Sequence, residues 1–305
     1  MNRESKKTLE ATLKSKDTEE FLDIHYYRPL GYAWAIFFKK IGVTPNQITI
    51  ASIFIGVAGG ICFYFTDLWI NLLGVFLLIW ANTYDSADGQ LVRMTNRKSE
   101  WGRILDGACG DFWFISIYLA LIFRLWPQYG YGIVVLAVAA GYFHSKQAAL
   151  ADYYRNIHLF FLNGKEGSEL DTSEEIAERL HDLNKWKHPL FAFFEWAYWN
   201  YTKGQEAWTP KMQALLRVIK SKFHSKAPDW FCRYYRKKSL RYLKYTNMLS
   251  FNLRSLVLFA SVLANCPWVY FIFELTVLNG VLIYMVNRYE RIAYKFRGGL
   301  LHDEF

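Results

Sequence analysis

The chain has 305 residues, 53% of them hydrophobic and 19% aromatic, with 36 Lys and Arg against 27 Asp and Glu for a formal charge of +9. That composition fits a soluble domain poorly and a polytopic membrane protein well, and the basic excess suggests contact with anionic lipid or a phosphorylated substrate rather than nucleic acid. The cysteines, Cys62, Cys109, Cys232 and Cys266, are scattered without metal-type or disulfide-type spacing and are given no role.

The opening stretch, MNRESKKTLEATLKSKDTEE, is charged and lacks the apolar core of a signal peptide, so it reads as a cytosolic leader, helical and partly mobile. In IHYYRPLGYAWAIFFKKIG, aromatics alternate with basic residues, as in an amphipathic helix lying in the membrane interface. VTPNQIT then gives a helix start, with Thr44 as cap, Pro45 at the first position and Asn46 beside it.

Crossing a bilayer takes about 20 mostly apolar residues. The segments that meet this are 46–66, 68–90, 103–125, 130–152, 246–265 and 267–288. The turns TDLW, RLWPQYG and NCPW are short and nearly free of Lys and Arg. The opposite connections carry Lys39, Lys40, Arg93, Arg97, Lys98, Arg103, the basic 155–245 region, Arg288, Arg291, Lys295 and Arg297. The positive-inside rule therefore places both termini, the second-to-third loop and the insertion in the cytosol.

Within the insertion, Thr172 and Glu175 form a capping-box pattern that starts a helix. HPLFAFFEWAYWNYTKGQ and SKFHSKAPDWFCRYYRKKSLRYLKY have the Trp, Tyr, Lys and Arg content of helices at headgroup level, covering the cytosolic face. The expected fold is all-α: a six-transmembrane-helix bundle with an interfacial N-terminal helix and a helical cytosolic insertion. Its parts are 1–45 (leader and interfacial helix), 46–152 (first four spans), 153–245 (insertion) and 246–305 (last two spans and tail).

The stretch YDSADGQLVRMTNRKSEWGRILDGACGDFW places Asp85, Asp88, Asp106 and Asp111 at the cytosolic ends of the second and third spans. Ionisable residues at membrane depth usually mark function, and four packed acids repel unless cations hold them. Carboxylates suit a hard divalent ion, and Mg²⁺ completes its shell with substrate phosphates, which points to phosphoryl chemistry. Gly89 would admit a large ligand, Gly102, Gly107 and Gly110 would thin the facing helix, and Arg93 offers a charged partner to phosphate.

DSADGQLVR followed by GRILDGACGD resembles the signature of the CDP-alcohol phosphotransferases, D-x2-D-G-x2-A-R-x8-G-x3-D-x3-D. Asp85, Asp88, Gly89, Arg93, Gly102 and Asp106 stand at its spacing, while Val92 replaces the family's Ala and the last acid comes one residue late, with Gly110 before Asp111. In a straight helix a residue four after Asp106 is turned by about 40° and one five after by about 140°. A single π-bulge would return Asp111 to the Asp106 face, and the glycines of DGACGD make one the expectation.

The resemblance implies an integral-membrane transferase in which two Mg²⁺ or Mn²⁺ ions bind the pyrophosphate of a CDP-linked lipid. A small polar alcohol, or its phosphate, attacks and releases CMP. By position Asp85, Asp88, Asp106 and Asp111 are metal ligands, Asp111 is also the general base, and Gly89 and Arg93 serve the CDP site. Lys146 and Arg254, cations within the fourth and fifth spans, either take a phosphorylated acceptor such as inositol phosphate, as the resemblance implies, or serve structure alone, with Lys146 snorkelling to the interface and Arg254 paired with a carboxylate. The resemblance also implies a homodimer, in a bacterial cytoplasmic membrane with the site facing the cytosol. Three alternatives stand beside it: transfer of a CDP-linked head group to a lipid alcohol, an ion or metal transporter, and a catalytically silent scaffold.

Overall fold

The computed structural model describes residues 15, 17–96, 99–165, 167–184, 187–223 and 227–301. Most of the charged leader, the loop cations Arg97 and Lys98, and the HSK of the second aromatic-basic stretch lie outside them. The helices are α1 (Arg28–Lys40), α2 (Pro45–Cys62), α3 (Leu68–Thr95), α4 (Glu100–Tyr129), α5 (Tyr131–Asn163) and α6 (Ser173–Asp182), then α7 (Pro189–Trp208), α8 (Pro210–Phe223), α9 (Asp229–Met248), α10 (Phe251–Leu263), α11 (Trp268–Phe273) and α12 (Asn279–Leu301). π-turns precede α1 (Asp23–Tyr27) and join α11 to α12 (Glu274–Leu278). The described chain is all-α, and six stretches are long and apolar enough to cross a membrane: Pro45–Cys62, Leu68–Thr95, Trp101–Tyr129, Tyr131–Asn163, Asp229–Leu263 and Trp268–Leu301.

Local chemistry explains the boundaries. At the start of α2, the Gln47 side chain accepts from the Thr44 amide at 2.9 Å, so Gln47 rather than Asn46 closes the cap behind Pro45. Asp67 accepts from the amides of Trp69 and Ile70 to open α3, Ser99 accepts from Gly102 to open α4, and Thr172 and Glu175 form the expected box on α6. The expected end of the third span gives way: α4 continues through Pro127 and stops at Gly130, whose φ of +53° suits glycine. The fourth span also runs past residue 152, because Tyr153, Tyr154, Ile157 and Phe161 continue its buried stripe.

The chain forms two compact units, Met1–Tyr142 with Ser255–Leu275, and Phe143–Arg254 with Thr276–Phe305. In the first, α2 is bound to α3 and α4 through glycines. A Cβ on Gly59 would stand 3.0 Å from the Gly74 carbonyl of α3, one on Gly56 would collide with the Trp113 indole, and one on Gly60 with Ser116 of α4. This small-residue seam permits the close helix approach that packing within a bilayer rewards. α1 lies on α3 through Gly31, where an added Cβ would stand 2.8 Å from Ser86 Oγ, and Trp34 packs edge-on against Trp80 and Tyr84. At the far end of α4, Arg124 donates to the Phe63 carbonyl (3.0 Å), Asn71 (3.2 Å) and Asn265 (2.8 Å), which satisfies a cation in an apolar setting.

In the second unit, α9 and α12 pack over Phe231, Tyr235, Leu243, Tyr289 and Phe296, all buried. Glu290 of α12 accepts from the first amides of α8, Lys211 at 2.7 Å and Met212 at 3.1 Å, compensating that helix's N-terminal dipole.

Candidate active site

Asp85, Asp88 and Asp106 meet at the ends of α3 and α4, each offering an oxygen within 4.8 Å of the others. Asp88 is 2% exposed, Asp85 half-buried and Asp106 exposed, so the cluster grades from interior to surface. Thr49, on the second turn of α2, donates its hydroxyl to Asp88 Oδ2 at 2.5 Å. Below it, Ser52 donates to the Ala81 carbonyl at 2.7 Å and Trp113 donates to the Ser52 carbonyl at 3.1 Å, so α2 ties the two acid-bearing helices together.

Gly89 leaves the space beside Asp88 to the Arg93 guanidinium, whose nitrogens would stand 3.5 and 3.6 Å from an added Cβ. The Arg93 Nε and Nη2 are buried without a hydrogen-bond partner, an arrangement that costs free energy until an acceptor arrives. Three convergent carboxylates and a guanidinium with unmet donors fit a divalent ion and a phosphate. Gly102 has a reason other than ligand access: a Cβ there would stand 2.6 Å from Asn46 Oδ1 and 2.8 Å from Ser99 Oγ, the pair that links the starts of α2 and α4. Gly107 and Gly110 face open space.

Asp111 is not in this cluster, and the expected π-bulge does not form: α4 is regular α-helix through 106–111. The cause is its register against α2. Gly102 meets Asn46, Cys109 lies against Ser52, Trp113 against Gly56 and Ser116 against Gly60, and one inserted residue would put every later contact out of phase. Asp111 therefore sits about 140° around the helix from Asp106, and is exposed.

The acceptor cations lie in the other unit. Arg254, 1% exposed, donates to Gln147 Oε1 and the Leu249 carbonyl, each at 3.1 Å, and its Nη1 lies 2.6 Å from His144 Nδ1. Gln147 in turn donates to Asn279 at 2.8 Å, so Arg254 is embedded in a polar network of α5, α10 and α12. Lys146 instead lines a cavity of about 290 Å³ with Ser145, Asn200, Tyr201, Gly204 and Gln205.

Sequence reasoning passed over Thr49 and Arg28. Arg28 holds Glu19 through two contacts of 2.8 and 3.1 Å, with its Nη1 3.5 Å from Ser86 Oγ, while Gln90 donates to its carbonyl at 3.0 Å. This anchors the start of α1 to the motif helix. The buried position of Thr49 one turn after a cap was its only sequence signal.

Residues 42–154 match the CDP-alcohol phosphatidyltransferase family. This agrees with the motif and covers α2 to most of α5, including the whole acid cluster. An uncharacterized protein of Aquifex aeolicus is 36% identical over 87 residues, 28% of this chain and 43% of its own. A phosphatidylinositol phosphate synthase of Cutibacterium acnes is 32% identical over 122 residues, 36% of this chain and 56% of its own. The chain thus spans about half the length of these relatives. No solved structure matches.

Proposed function

We propose that this multi-pass membrane protein transfers a phosphatidyl group from a CDP-linked lipid to a small polar alcohol and releases CMP. The observation that carries the reading is the convergence of Asp85, Asp88 and Asp106 beside the unpartnered donors of Arg93, within the family-matched segment. Asp85, Asp88 and Asp106 would hold Mg²⁺ or Mn²⁺, which would neutralise the pyrophosphate and stabilise the departing CMP. Thr49 orients Asp88, Gly89 leaves the space that seats the Arg93 guanidinium at the CDP site, and Arg93 receives phosphate oxygens on its Nε and Nη2. The attacking hydroxyl passes its proton to a carboxylate at the surface end of the cluster, where Asp106 is the exposed member.

For the acceptor we favour a phosphorylated alcohol such as inositol phosphate. The Lys146 cavity, lined by Ser145, Asn200, Tyr201 and Gln205, matches such a polar anion, and the C. acnes relative carries the name of a synthase of that kind. Arg254 links α10 to α5 through Gln147 and His144. The basic loops support a site that faces the cytosol, while a homodimer and a bacterial cytoplasmic membrane rest on the family resemblance alone.

The test is CMP release by purified protein in lipid, given CDP-diacylglycerol, Mg²⁺ or Mn²⁺, and inositol phosphate, glycerol phosphate or serine. Asp88→Asn and Asp106→Asn are expected to abolish release, Lys146→Gln to raise KM for the acceptor, and Asp111→Asn to retain most activity. Loss of activity in Asp111→Asn, with the fold intact, would return the base role to Asp111 and require α4 to rearrange on substrate binding. No release with any acceptor or lipid alcohol would overturn the reading.

A further inference from the structure

The second unit contains a groove of about 560 Å³ between α9 and α12, outside the family-matched segment. Its walls hold Lys237, Lys238 and Arg241 from α9 and Arg288, Arg291 and Lys295 from α12. The spacing puts each trio on one helical face, and the two faces confront each other. All but the half-buried Arg288 are exposed, and none of the six forms a salt bridge among the described residues. Glu290, the one acid of α12, is engaged at the start of α8, so nothing on that helix offsets the charge. The floor is aromatic: Tyr234 stacks on Phe296 with ring centroids 5.0 Å apart, and Phe231 and Tyr235 pack beneath Phe296.

The depth of the groove follows from helix length. About 20 residues cross the hydrocarbon at ~1.5 Å each, so a span starting at Trp268 reaches the boundary near Arg288. Arg291 and Lys295 then stand roughly 5 and 10 Å beyond it, within and just outside the ~5–8 Å headgroup layer. Counting back about 20 residues from Leu263 along the fifth span places Arg241 and Tyr242 at the same level. Tyr rings and long basic side chains are the chemistry of that layer, and basic pockets between helices there take phosphate-bearing headgroups.

From this placement the geometry points to a binding site for the phosphate groups of an anionic phospholipid headgroup, in the cationic groove between α9 and α12. It shares no residue with the acid cluster and does not depend on the transfer reaction. Six cations exceed what one phosphodiester neutralises, so a headgroup bearing two phosphates is held more firmly than one bearing a single phosphate.

The experiment is lipid retention by the full-length protein, released from nanodiscs of phosphatidylcholine mixed with cardiolipin or phosphatidylglycerol and read by native mass spectrometry. The order expected is cardiolipin, then phosphatidylglycerol, with phosphatidylcholine not retained. Combining Lys238→Gln, Arg241→Gln, Arg291→Gln and Lys295→Gln, all at exposed positions, is expected to lower cardiolipin retention more than tenfold, each charge near an anionic surface contributing roughly fivefold. A control of equal charge change off the groove, Lys220→Gln, Arg233→Gln, Lys244→Gln and Arg297→Gln, is expected to keep retention within about threefold of the parent, since charges outside the groove act only through the screened field. Equal loss in the two variants would reduce the effect to diffuse charge and overturn the site. So would retention of phosphatidylcholine at the level of cardiolipin, or saturable binding of inorganic pyrophosphate by a protein that retains no anionic lipid.

Discussion

Thr49→Val isolates the support of the acid cluster from the acids themselves. Thr49 is 3% exposed and its hydroxyl lies 2.5 Å from Asp88 Oδ2, with the Pro45 carbonyl as a second partner at 3.1 Å. Valine keeps the shape and removes the donor. A hydrogen bond to a charged group contributes about 1.5–3 kcal/mol, and each 1.4 kcal/mol is tenfold, so loss of this one predicts a decrease of roughly 10- to 150-fold in divalent-ion affinity. That range overlaps the 10- to 100-fold typical of residues that orient metal ligands. Mn²⁺ titration followed by electron paramagnetic resonance reads the affinity directly, and a thermal melt confirms the fold. Thr49→Ser, which retains the hydroxyl, should bind within about threefold of the parent. Mn²⁺ affinity in Thr49→Val within threefold of the parent would refute the reasoning, and so would equal losses in the Ser and Val variants.

Gly56→Ala drives a methyl into the Trp113 indole, and overpacking of this kind costs about 1–3 kcal/mol, visible as a lower Tm in detergent. Gly107→Ala, which faces open space, should leave Tm unchanged or slightly raised. Arg93→Lys keeps the charge but loses the planar fork, so CMP release should fall at least tenfold, mainly through KM for the CDP-linked lipid. Outside the six candidate spans, burial would raise the Glu175 carboxyl, but Lys165 and the Thr172 amide outweigh it and hold it below its ordinary value of 4.5. A depressed carboxyl stabilises fully above 4.5 and loses its contribution as pH falls through the folded value, so hydrogen exchange at the start of α6 should accelerate there. In Glu175→Gln that acceleration should vanish.

The spans, the caps at Thr44 and Thr172 and the meeting of Asp85, Asp88 and Asp106 were legible because each is local: a hydropathy run, a three-residue offset, a turn-spaced set of acids. The extension of α5 to Asn163 was hidden because Asp152 and Arg155 end the apolar run while Tyr153, Tyr154 and Ile157 continue the buried stripe. Thr49 shows a different limit, since its acceptor lies 39 residues away and no local pattern marks the pair. The straightness of α4 was misread for the same reason. The glycines of 107–110 are locally permissive, but the decision belongs to Asn46, Ser52, Gly56 and Gly60 on the neighbouring helix. Sequence also showed the basic residues of α9 and α12 as two separate surfaces, and only the packing joins them into one groove.

The glycine seam along α2 sets more than packing density. Two of the three acids ride on α3 and the third on α4, and both helices take their spacing from the same narrow rod. Mg²⁺ demands oxygens at about 2.0–2.1 Å and Ca²⁺ accepts about 2.3–2.6 Å, so the difference between the two ions is smaller than a methyl group. A Cβ at Gly59, 3.0 Å from the Gly74 carbonyl, would wedge α2 from α3 at a depth well away from the carboxylates and loosen the cage they form. On the proposed reading, the preference for one cation over another would then be set by residues that never touch it, and would change without altering a single acid.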